Sequence, residues 1–204
     1  MPRRPTKPSG RLSRDEWIAA ALRAIADGGL TAVNVQQLAA SLGVTTGSFY
    51  WHFSSRDEII EAALDRWEQE RIDVLEELRA ITDPRERLMT MVRNVYIIKE
   101  RGALFASLQA SASDARIRNR LRRTMQRRLT FLTQTYRELG YPIDSARHAS
   151  RVLYSLYSGL WEVMRMLPAA DDHSLNGERL GDYVQYMLDM ILPPLPPTTQ
   201  SSEK

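Results

Sequence analysis

The residues best suited to do chemistry in this sequence lie close together, in the segment 33–56. An unbroken aromatic run covers residues 49–53. Five consecutive aromatic residues cannot all be buried on one face of a short helix, so some of them must face solvent or a ligand. Hydroxyl and ring N–H groups are suited to donate to phosphate oxygens and to contact base edges. Small polar side chains that could do so directly precede the aromatic run, at Thr45, Thr46 and Ser48.

Two short helices joined by a tight turn would position these side chains. Leu38, Leu42 and Val44 can pack inward, and Gly43 suits a sharp turn because glycine tolerates a left-handed backbone. Thr45 can then cap a short helix that the aromatic residues anchor to a core. This layout turns the small polar first turn outward, toward base edges in a major groove. The segment therefore predicts a helix-turn-helix.

Helix start and stop signals continue along the chain. Ser13 with Glu16, and Ser55 with Glu58, have the spacing of capping boxes. No convincing alternation of apolar and polar residues indicates a strand. The sequence predicts an all-α fold of about nine helices, with a three-helix helix-turn-helix domain followed by a helical bundle.

Later helix boundaries are predicted from glycine, proline and aspartate. A helix beginning at Pro84 is expected to end at Gly102, and Asp144 is expected to cap a helix that reaches Leu167. That capped helix is apolar nearly all round, and the last helix, 177–192, is strongly amphipathic. We expect these two helices to form a four-helix interface with a second chain, the alternative being burial within one monomer. The expected contacts are Leu156, Gly159, Leu160, Tyr183, Met187 and Ile191.

Composition divides the chain into four parts. Residues 1–10 are expected to be a flexible basic arm, and 193–204 a disordered tail. Between them lie a helix-turn-helix domain, 11–56, and a ligand-binding and dimerisation domain, 57–192. Of the net charge of +3, the excess of positive charge lies in the first 56 residues, which points there for a polyanionic partner.

Several classes of protein are disfavoured. The chain has no cysteine, so disulfides and thiolate chemistry are excluded. His52, His148 and His173 have no metal-ligand companion at helical spacing. No stretch is apolar enough for a membrane helix, and the start lacks the features of a secretory signal. We expect a cytoplasmic protein that is not an enzyme and has no metal, no cofactor and no membrane partner.

The helix-turn-helix segment resembles a known family. The runs VQQLAASLGV (35–44), TTGSFYWHF (45–53) and SRDEI (55–59) are similar to those of the tetracycline-repressor-like (TetR) family of bacterial transcriptional regulators. The resemblance implies that Thr46 and Gly47 meet bases, and that Gln36 reads a base, unless it is a plain surface residue. Arg56 stands where lysine is more usual. Phosphate contacts are implied for Ser48, Tyr50, His52 and Arg56, with Asn34 and Thr45 at helix caps that approach phosphate.

Trp51 is also assigned to the DNA surface. For Tyr50 and Trp51 the alternative is burial in the core, and for His52 it is an incidental solvated position.

The resemblance also implies a mechanism. The protein would be a homodimeric repressor on a palindromic operator of double-stranded DNA, released by a small-molecule inducer. An activator, an inducer-independent regulator, or a helical adaptor that has lost DNA binding are the alternatives. The inducer pocket is assigned weakly, with ordinary core packing as the alternative, to Tyr96, Phe105, Gln109, Tyr157 and Trp161.

One helix, 114–139, is rich in arginine. We expect its arginines to form a solvated face, paired with the acidic helix 65–77. An anionic ligand or an additional DNA contact is the alternative. The series is Arg116, Arg118, Arg120, Arg122, Arg123, Arg127 and Arg128.

Overall fold

Nine α-helices and one short 3-10 turn make up the part of the chain that this computed structural model describes, residues 12–97, 99–167 and 178–192, without the side chains of 95–101, 178 and 180. No strand occurs in these ranges, and the predicted all-α fold is confirmed. The first four helices are α1 (Arg14–Gly28), α2 (Val35–Leu42), α3 (Thr46–Phe49) and α4 (Arg56–Arg79), with the 3-10 turn Leu30–Ala32 after α1. The other five are α5 (Pro84–Ile97), α6 (Lys99–Ala110), α7 (Ala115–Glu138), α8 (Ile143–Met166) and α9 (Glu178–Ile191).

Two compact units group these helices. The first is formed by the described residues of Met1–Val74 and Ala103–Met125, and the second by those of Leu75–Gly102 and Gln126–Lys204. The division into functional domains between residues 56 and 57 stays a prediction. The expected arm 1–10 and tail 193–204, and His173, lie outside the described residues.

Helix α1 begins as the sequence predicts. The Ser13 hydroxyl oxygen accepts the N–H of Glu16 at 3.3 Å, and the Glu16 carboxylate accepts the N–H of Ser13 at 2.7 Å, which completes the capping box. Gly29 follows the helix with a φ of 69°. Trp17 and Ile25 are fully buried and fix α1 to the core of the first unit.

Two predicted boundaries in the second unit are wrong. Gly102 does not end a helix but lies inside α6, where a Cβ would come within 2.1 Å of Cζ3 of Trp161. Glycine stands there because the indole ring of α8 lies against the backbone. Asp144 lies in the first turn of α8, and Pro142 occupies the N-cap position instead. A carboxylate in a first turn still favours the helix through its dipole.

Candidate nucleic-acid interface

A left-handed glycine joins the two helices of the predicted helix-turn-helix. Gly43 has φ 69° and ψ 32°, and it directly follows α2. Leu38 of α2 and Phe49 of α3 are buried, so these side chains anchor the pair of helices. Leu42 and Val44 are only half-buried. The tight corner therefore forms as the sequence predicts, with a smaller apolar anchor than expected.

The first turn of α3 faces solvent. Thr45, Thr46 and Gly47 are exposed, and Ser48 is half-buried. Tyr50 and Trp51, which follow α3, have exposed fractions of 64% and 74%. Burial of these two rings in the core, the alternative for both, is therefore wrong. Six exposed residues of α2, α3 and the adjoining turns form what we call the recognition surface: Gln36, Thr45, Thr46, Gly47, Tyr50 and Trp51.

Thr45 and Gly47 leave room for a partner at this surface. Thr45 is the N-cap residue of α3, but its side chain makes no capping hydrogen bond. A Cβ on Gly47 would lie 3.7 Å from Oγ1 of Thr45, an ordinary contact distance, so packing within the described chain does not demand glycine there. At the start of α2, by contrast, Oδ1 of Asn34 accepts the N–H of Gln37 at 3.1 Å, which is a complete cap.

Arg56 ties the start of α4 to the connection between α1 and α2. Its Nε donates to the carbonyl oxygen of Val33 at 2.6 Å, and its Nη2 donates to the carbonyl oxygen of Leu30. Two donor nitrogens of the guanidinium are therefore occupied by the protein itself. Arg56 has fewer donors left for the predicted phosphate contact than the sequence indicates.

His52 is less available than expected. Its ring is half-buried, and Nε2 is enclosed without a hydrogen-bond partner among the described residues. The ring centre lies 6.4 Å from that of Phe53. As the side chain stands, Nε2 cannot reach a phosphate. The predicted phosphate contact would have to use the other ring nitrogen.

Arg14 is a cation at this end of the first unit that the sequence analysis missed. Its Cζ lies 4.7 Å from the centre of the Phe53 ring, and its Nη2 lies 3.9 Å from the Glu58 carboxylate. The only signal in the sequence was its place in the first turn of α1. A half-exposed cation stacked on the residue that ends the aromatic run is well suited to meet a phosphate.

The second capping box is shifted by one residue. Oγ of Ser55 accepts the N–H of Glu58 at 3.2 Å, as predicted. The Glu58 carboxylate, however, accepts the N–H and the hydroxyl of Ser54, each at 2.7 Å, and not the N–H of Ser55. The two hydrogen bonds from Ser54, followed by the charge of Arg14, lower the pKa of Glu58. Glu58 thus fastens the end of the aromatic run to α4.

A second exposed surface runs along α8 and α9. A Cβ on Gly159 would meet no described atom within 4 Å, so the helix is bare at this point. Four of the six predicted dimer contacts line this surface. We call it the α8–α9 groove; it has a volume of about 680 Å³ and is lined by Arg151, Val152, Ser155, Leu156, Gly159, Leu160, Val163 and Tyr183.

The other two predicted dimer contacts do not line the α8–α9 groove. Met187 and Ile191 are buried in the core of their own unit, so their side chains are not available to a second chain. Tyr186 and Met190 of the same helix are exposed instead. The most regular apolar stripe of α9 packs inward, and a second apolar face points to solvent.

The residues assigned to an inducer pocket are divided between the two units, and their role stays a prediction. Phe105 and Gln109 belong to the first unit, whereas Tyr157 and Trp161 belong to the second. The side chain of Tyr96 lies outside the described residues. Only Tyr157 of this set lines a described cavity, which has a free volume of about 20 Å³. We call it the Arg128 cavity; its lining is Met91, Val92, Arg128, Leu132, Leu153, Tyr154 and Tyr157.

Three arginines of α7 pair with acidic side chains of α4. The predicted pairing with an acidic helix is confirmed for them, although the partners come from the first half of α4 and not from 65–77 alone. The charges of these three arginines are thereby neutralised within the first unit. The pairs are Arg116 with Asp57 and Glu61, Arg120 with Glu61 and Asp65, and Arg123 with Glu68.

Comparison with known proteins agrees with this geometry. The profile of the family described as "Bacterial regulatory proteins, tetR family" matches residues 18–63. The HTH-type transcriptional repressor KstR2 of Mycolicibacterium smegmatis is 40% identical over 63 residues, which cover 31% of this chain and 30% of that protein. The HTH-type transcriptional regulator TtgR of Pseudomonas putida is 37% identical over 62 residues, 30% of each chain. The chain therefore matches less than a third of the length of these relatives.

Solved structures match over most of the chain. A TetR transcriptional regulator from Legionella pneumophila superposes with a TM-score of 0.73 at 16% identity, covering 91% of this chain and all of that one. A transcriptional regulator from Rhodococcus sp. Rha1 gives a TM-score of 0.71 at 21% identity, with 90% and 100% coverage. A regulator from Saccharomonospora viridis, solved in complex with choline, gives 0.68 at 22% identity, with 87% and 94% coverage.

These similarities define a class. Residues 18–63 match the profile of the bacterial tetR regulatory family, and the described helices share the fold of solved TetR regulators. None of the helices in the described ranges has the length and apolarity that crossing a membrane requires. In the same ranges, no three His, Asp or Glu side chains are grouped as a metal site would need.

Proposed function

We propose that the protein is a homodimeric transcriptional repressor that binds a palindromic operator and leaves it when a small molecule binds. The observation that carries this proposal is the recognition surface. A short helix opens with exposed, small polar residues and is followed by the exposed rings of Tyr50 and Trp51. The repressor named KstR2 shares this segment, which supports repression as the direction of control.

Each part of the recognition surface has a chemical role on DNA. Gln36 can pair bidentately with adenine, and the methyl of Thr46 can contact a thymine methyl in the major groove. The Tyr50 hydroxyl and the unbonded hydroxyl of Thr45 can donate to phosphates, which fix the position of the helix but do not read sequence. Gly47 lets the backbone come close to the bases.

A second copy of the chain is the proposed occupant of the α8–α9 groove. Val152, Val163 and Met166 are exposed on α8, and Tyr186 and Met190 on α9, so two helices of one chain present unpartnered apolar side chains. Exposed apolar patches of this kind mark association surfaces. A two-fold axis through the groove gives a pair of recognition surfaces, which suits the two half-sites of a palindrome.

Release from DNA is proposed to follow from a shift in population. A ligand that binds one spacing of the two recognition surfaces better than another moves the dimer toward that spacing. Operator affinity then falls because the half-sites have a fixed separation. The choline bound to the regulator from Saccharomonospora viridis supports a small-molecule site in a fold of this kind.

Selection of binding sequences with the purified chain tests the proposal. Random duplexes are enriched on the protein, and we expect a palindrome whose affinity falls steeply with salt. Tyr50→Ala should weaken binding to all duplexes alike, whereas Thr46→Ala should relax preference at particular positions. Matched controls are Tyr50→Phe, which removes only the hydroxyl, and Thr46→Ser, which removes only the methyl. If both alanine variants keep full affinity and selectivity, the assigned roles are wrong.

The other functions give different outcomes in the same experiment. An adaptor that has lost DNA binding would enrich no sequence and show no salt dependence. An activator would enrich a palindrome but raise transcription from a reporter promoter that carries it. A regulator without an inducer would bind the palindrome and keep it at every ligand concentration.

A further inference from the structure

Arg128 of α7 is a largely buried cation that has no opposite charge beside it among the described residues. Its side chain is only 6% exposed, and its Cζ lies 4.6 Å from the centre of the Tyr157 ring. Among the described residues, no carboxylate pairs with it and no carbonyl accepts a hydrogen bond from it. A guanidinium is always charged and carries five N–H donors, and no nitrogen of Arg128 is fully enclosed, so its donors are open to water or to a ligand.

Arg87 shows what a satisfied buried arginine looks like in the same unit. It is 9% exposed, close to the value for Arg128. Its Nε and Nη2 donate to the carbonyl oxygen of Ile81 at 2.9 and 2.8 Å, and its Nη1 pairs with the Glu138 carboxylate. Of these two arginines of similar burial, only Arg87 has carbonyl acceptors and a counter-ion among the described residues.

The geometry points to an anionic ligand as the missing partner of Arg128: the inducer is an amphipathic molecule with one carboxylate, which pairs with Arg128 in the Arg128 cavity. This inference rests on the proposed release by a small molecule and names its chemical class. One guanidinium neutralises one negative charge, which matches a carboxylate better than a phosphate monoester with nearly two charges.

The lining of the Arg128 cavity specifies the rest of the ligand. Met91, Val92, Leu132 and Leu153 offer only apolar contacts. Burial raises the pKa of Tyr154 against the opposing charge of Arg128, so its hydroxyl stays protonated and can donate to an anion. These features together call for an apolar body that ends in one acidic group.

The small size of the Arg128 cavity means that a ligand can bind only if the cavity opens. Its free volume of about 20 Å³ holds one water molecule. Sites for drug-sized ligands have volumes of roughly 300–1,000 Å³. A carboxylate with an apolar body can enter only if the side chains of α5, α7 and α8 that line the cavity separate. The bound form of the second unit must therefore differ from the closed form described here.

A first experiment needs no ligand. Replacing Arg128 with methionine removes an unpaired buried charge and keeps an apolar stem, so the Tm should rise, by about 2 °C or more. Arg87→Met breaks a paired charge and should lower the Tm by at least as much. If Arg128→Met lowers the Tm as Arg87→Met does, Arg128 has a structural partner and the inference is wrong.

A second experiment measures the ligand class on the full chain without DNA. The probes are decanoate and 2-naphthoate, each compared with its neutral analogue, decanol and 2-naphthalenemethanol, by thermal shift and calorimetry at millimolar concentration. We expect at least one acid to raise the Tm more than its alcohol, and that difference to vanish in Arg128→Met but persist in Arg87→Lys. Equal shifts for acid and alcohol, no shift from either acid, or an unchanged difference in Arg128→Met would overturn the inference.

Measuring DNA binding distinguishes a failure of the proposed function from a failure of the carboxylate site. If the unliganded chain enriches no operator, the proposed function fails, whereas the carboxylate site is still judged by the Tm difference. If decanoate or 2-naphthoate binds through Arg128 but leaves operator affinity unchanged, the carboxylate site stands and its role as inducer site is overturned.

Discussion

The recognition surface and the α8–α9 groove both expose apolar side chains, but the atoms around those side chains differ. Tyr50 and Trp51 follow a short helix whose first turn exposes the hydroxyl-bearing residue Thr46. Val152 and Val163 line a groove with leucines and a bare glycine, and its polar side chains are those of Arg151, Ser155 and Tyr183. Rings with polar neighbours suit a partner that offers acceptors and flat apolar faces together, as DNA does. Exposed apolar area therefore marks both the recognition surface and the α8–α9 groove as surfaces for a partner. The polar atoms near each surface indicate which kind of partner it binds.

A charge placed in the α8–α9 groove should give the largest effect. In Val163→Glu the new carboxylate would be buried against the second copy without a counter-ion, at a cost of about 3–5 kcal/mol. We expect the dimer dissociation constant, measured by analytical ultracentrifugation, to rise by roughly two to three orders of magnitude. Operator affinity should fall with it, while binding of a single half-site to the recognition surface is kept.

Gln126→Glu is the matched control for that variant. It adds the same charge at an exposed residue of α7 that does not line the groove. It should leave the dimer intact. A Val163→Glu protein that sediments as a stable dimer would show that the groove is not the interface.

A methyl group added at the recognition surface should have an intermediate effect. Gly47→Ala meets only ordinary contacts within the described chain, and alanine favours a helix, so the free energy of unfolding should stay equal or rise by up to about 1 kcal/mol. Operator affinity should fall by about fivefold or more, roughly 1 kcal/mol, because the methyl group stands between backbone and bases. Fluorescence anisotropy and urea unfolding measure the two quantities.

Gly43→Ala is the counterpart of Gly47→Ala. Its left-handed backbone, with φ 69°, strains any other residue, at a cost of about 1–2 kcal/mol. Gly43→Ala should therefore lower stability, whereas Gly47→Ala should lower DNA affinity alone. Loss of stability in Gly47→Ala would mean that the fold, and not DNA, requires glycine at that position.

Lowering the pH should give the smallest of the expected effects, a change in Tm that depends on Glu58 beside the recognition surface. The folded-state pKa of Glu58 lies below its ordinary value of 4.5 because Ser54 donates to its carboxylate. A lowered pKa stabilises the fold above pH 4.5, and this contribution is lost as the pH falls through the folded-state value. Glu58→Gln should therefore lose less Tm than the native chain between pH 5 and pH 3, pH values chosen to bracket that ordinary pKa.

Glu70→Gln provides the control for the acid experiment. Glu70 pairs with Arg66 on the exposed face of α4, away from the chain between α3 and α4. Its variant should follow the native Tm profile more closely than Glu58→Gln does. Identical profiles for all three proteins would mean that the hydrogen bonds from Ser54 do not support the recognition surface.

Local features of the recognition surface could be predicted from the sequence. The left-handed turn at Gly43, the Asn34 cap and the Ser13 capping box each depend on residues within a few positions of one another. The exposure of the aromatic run followed from a simple steric count. The structure agrees with these predictions because the interactions are local and chain neighbours determine them.

Features that depend on distant residues could not be predicted in the same way. From its neighbours in the chain, Gly102 is predicted to end a helix. In the structure, glycine is required at this position because an indole ring from another helix lies against the backbone. Arg128 is indistinguishable in sequence from the other arginines of α7, and only the packing of the second unit separates it from them. Arg56 has the position of a phosphate ligand, yet carbonyl groups more than twenty residues earlier in the chain occupy its donors.

The contact between Gly102 and Trp161 couples two positions that are far apart in the chain. With a Cβ only 2.1 Å from the ring, no side chain fits at 102 while the indole stays in place. A smaller residue at 161 would leave a void unless 102 became larger at the same time. Replacements that are each harmful alone could be tolerated as a pair, so homologous chains should vary at these two sites together or not at all.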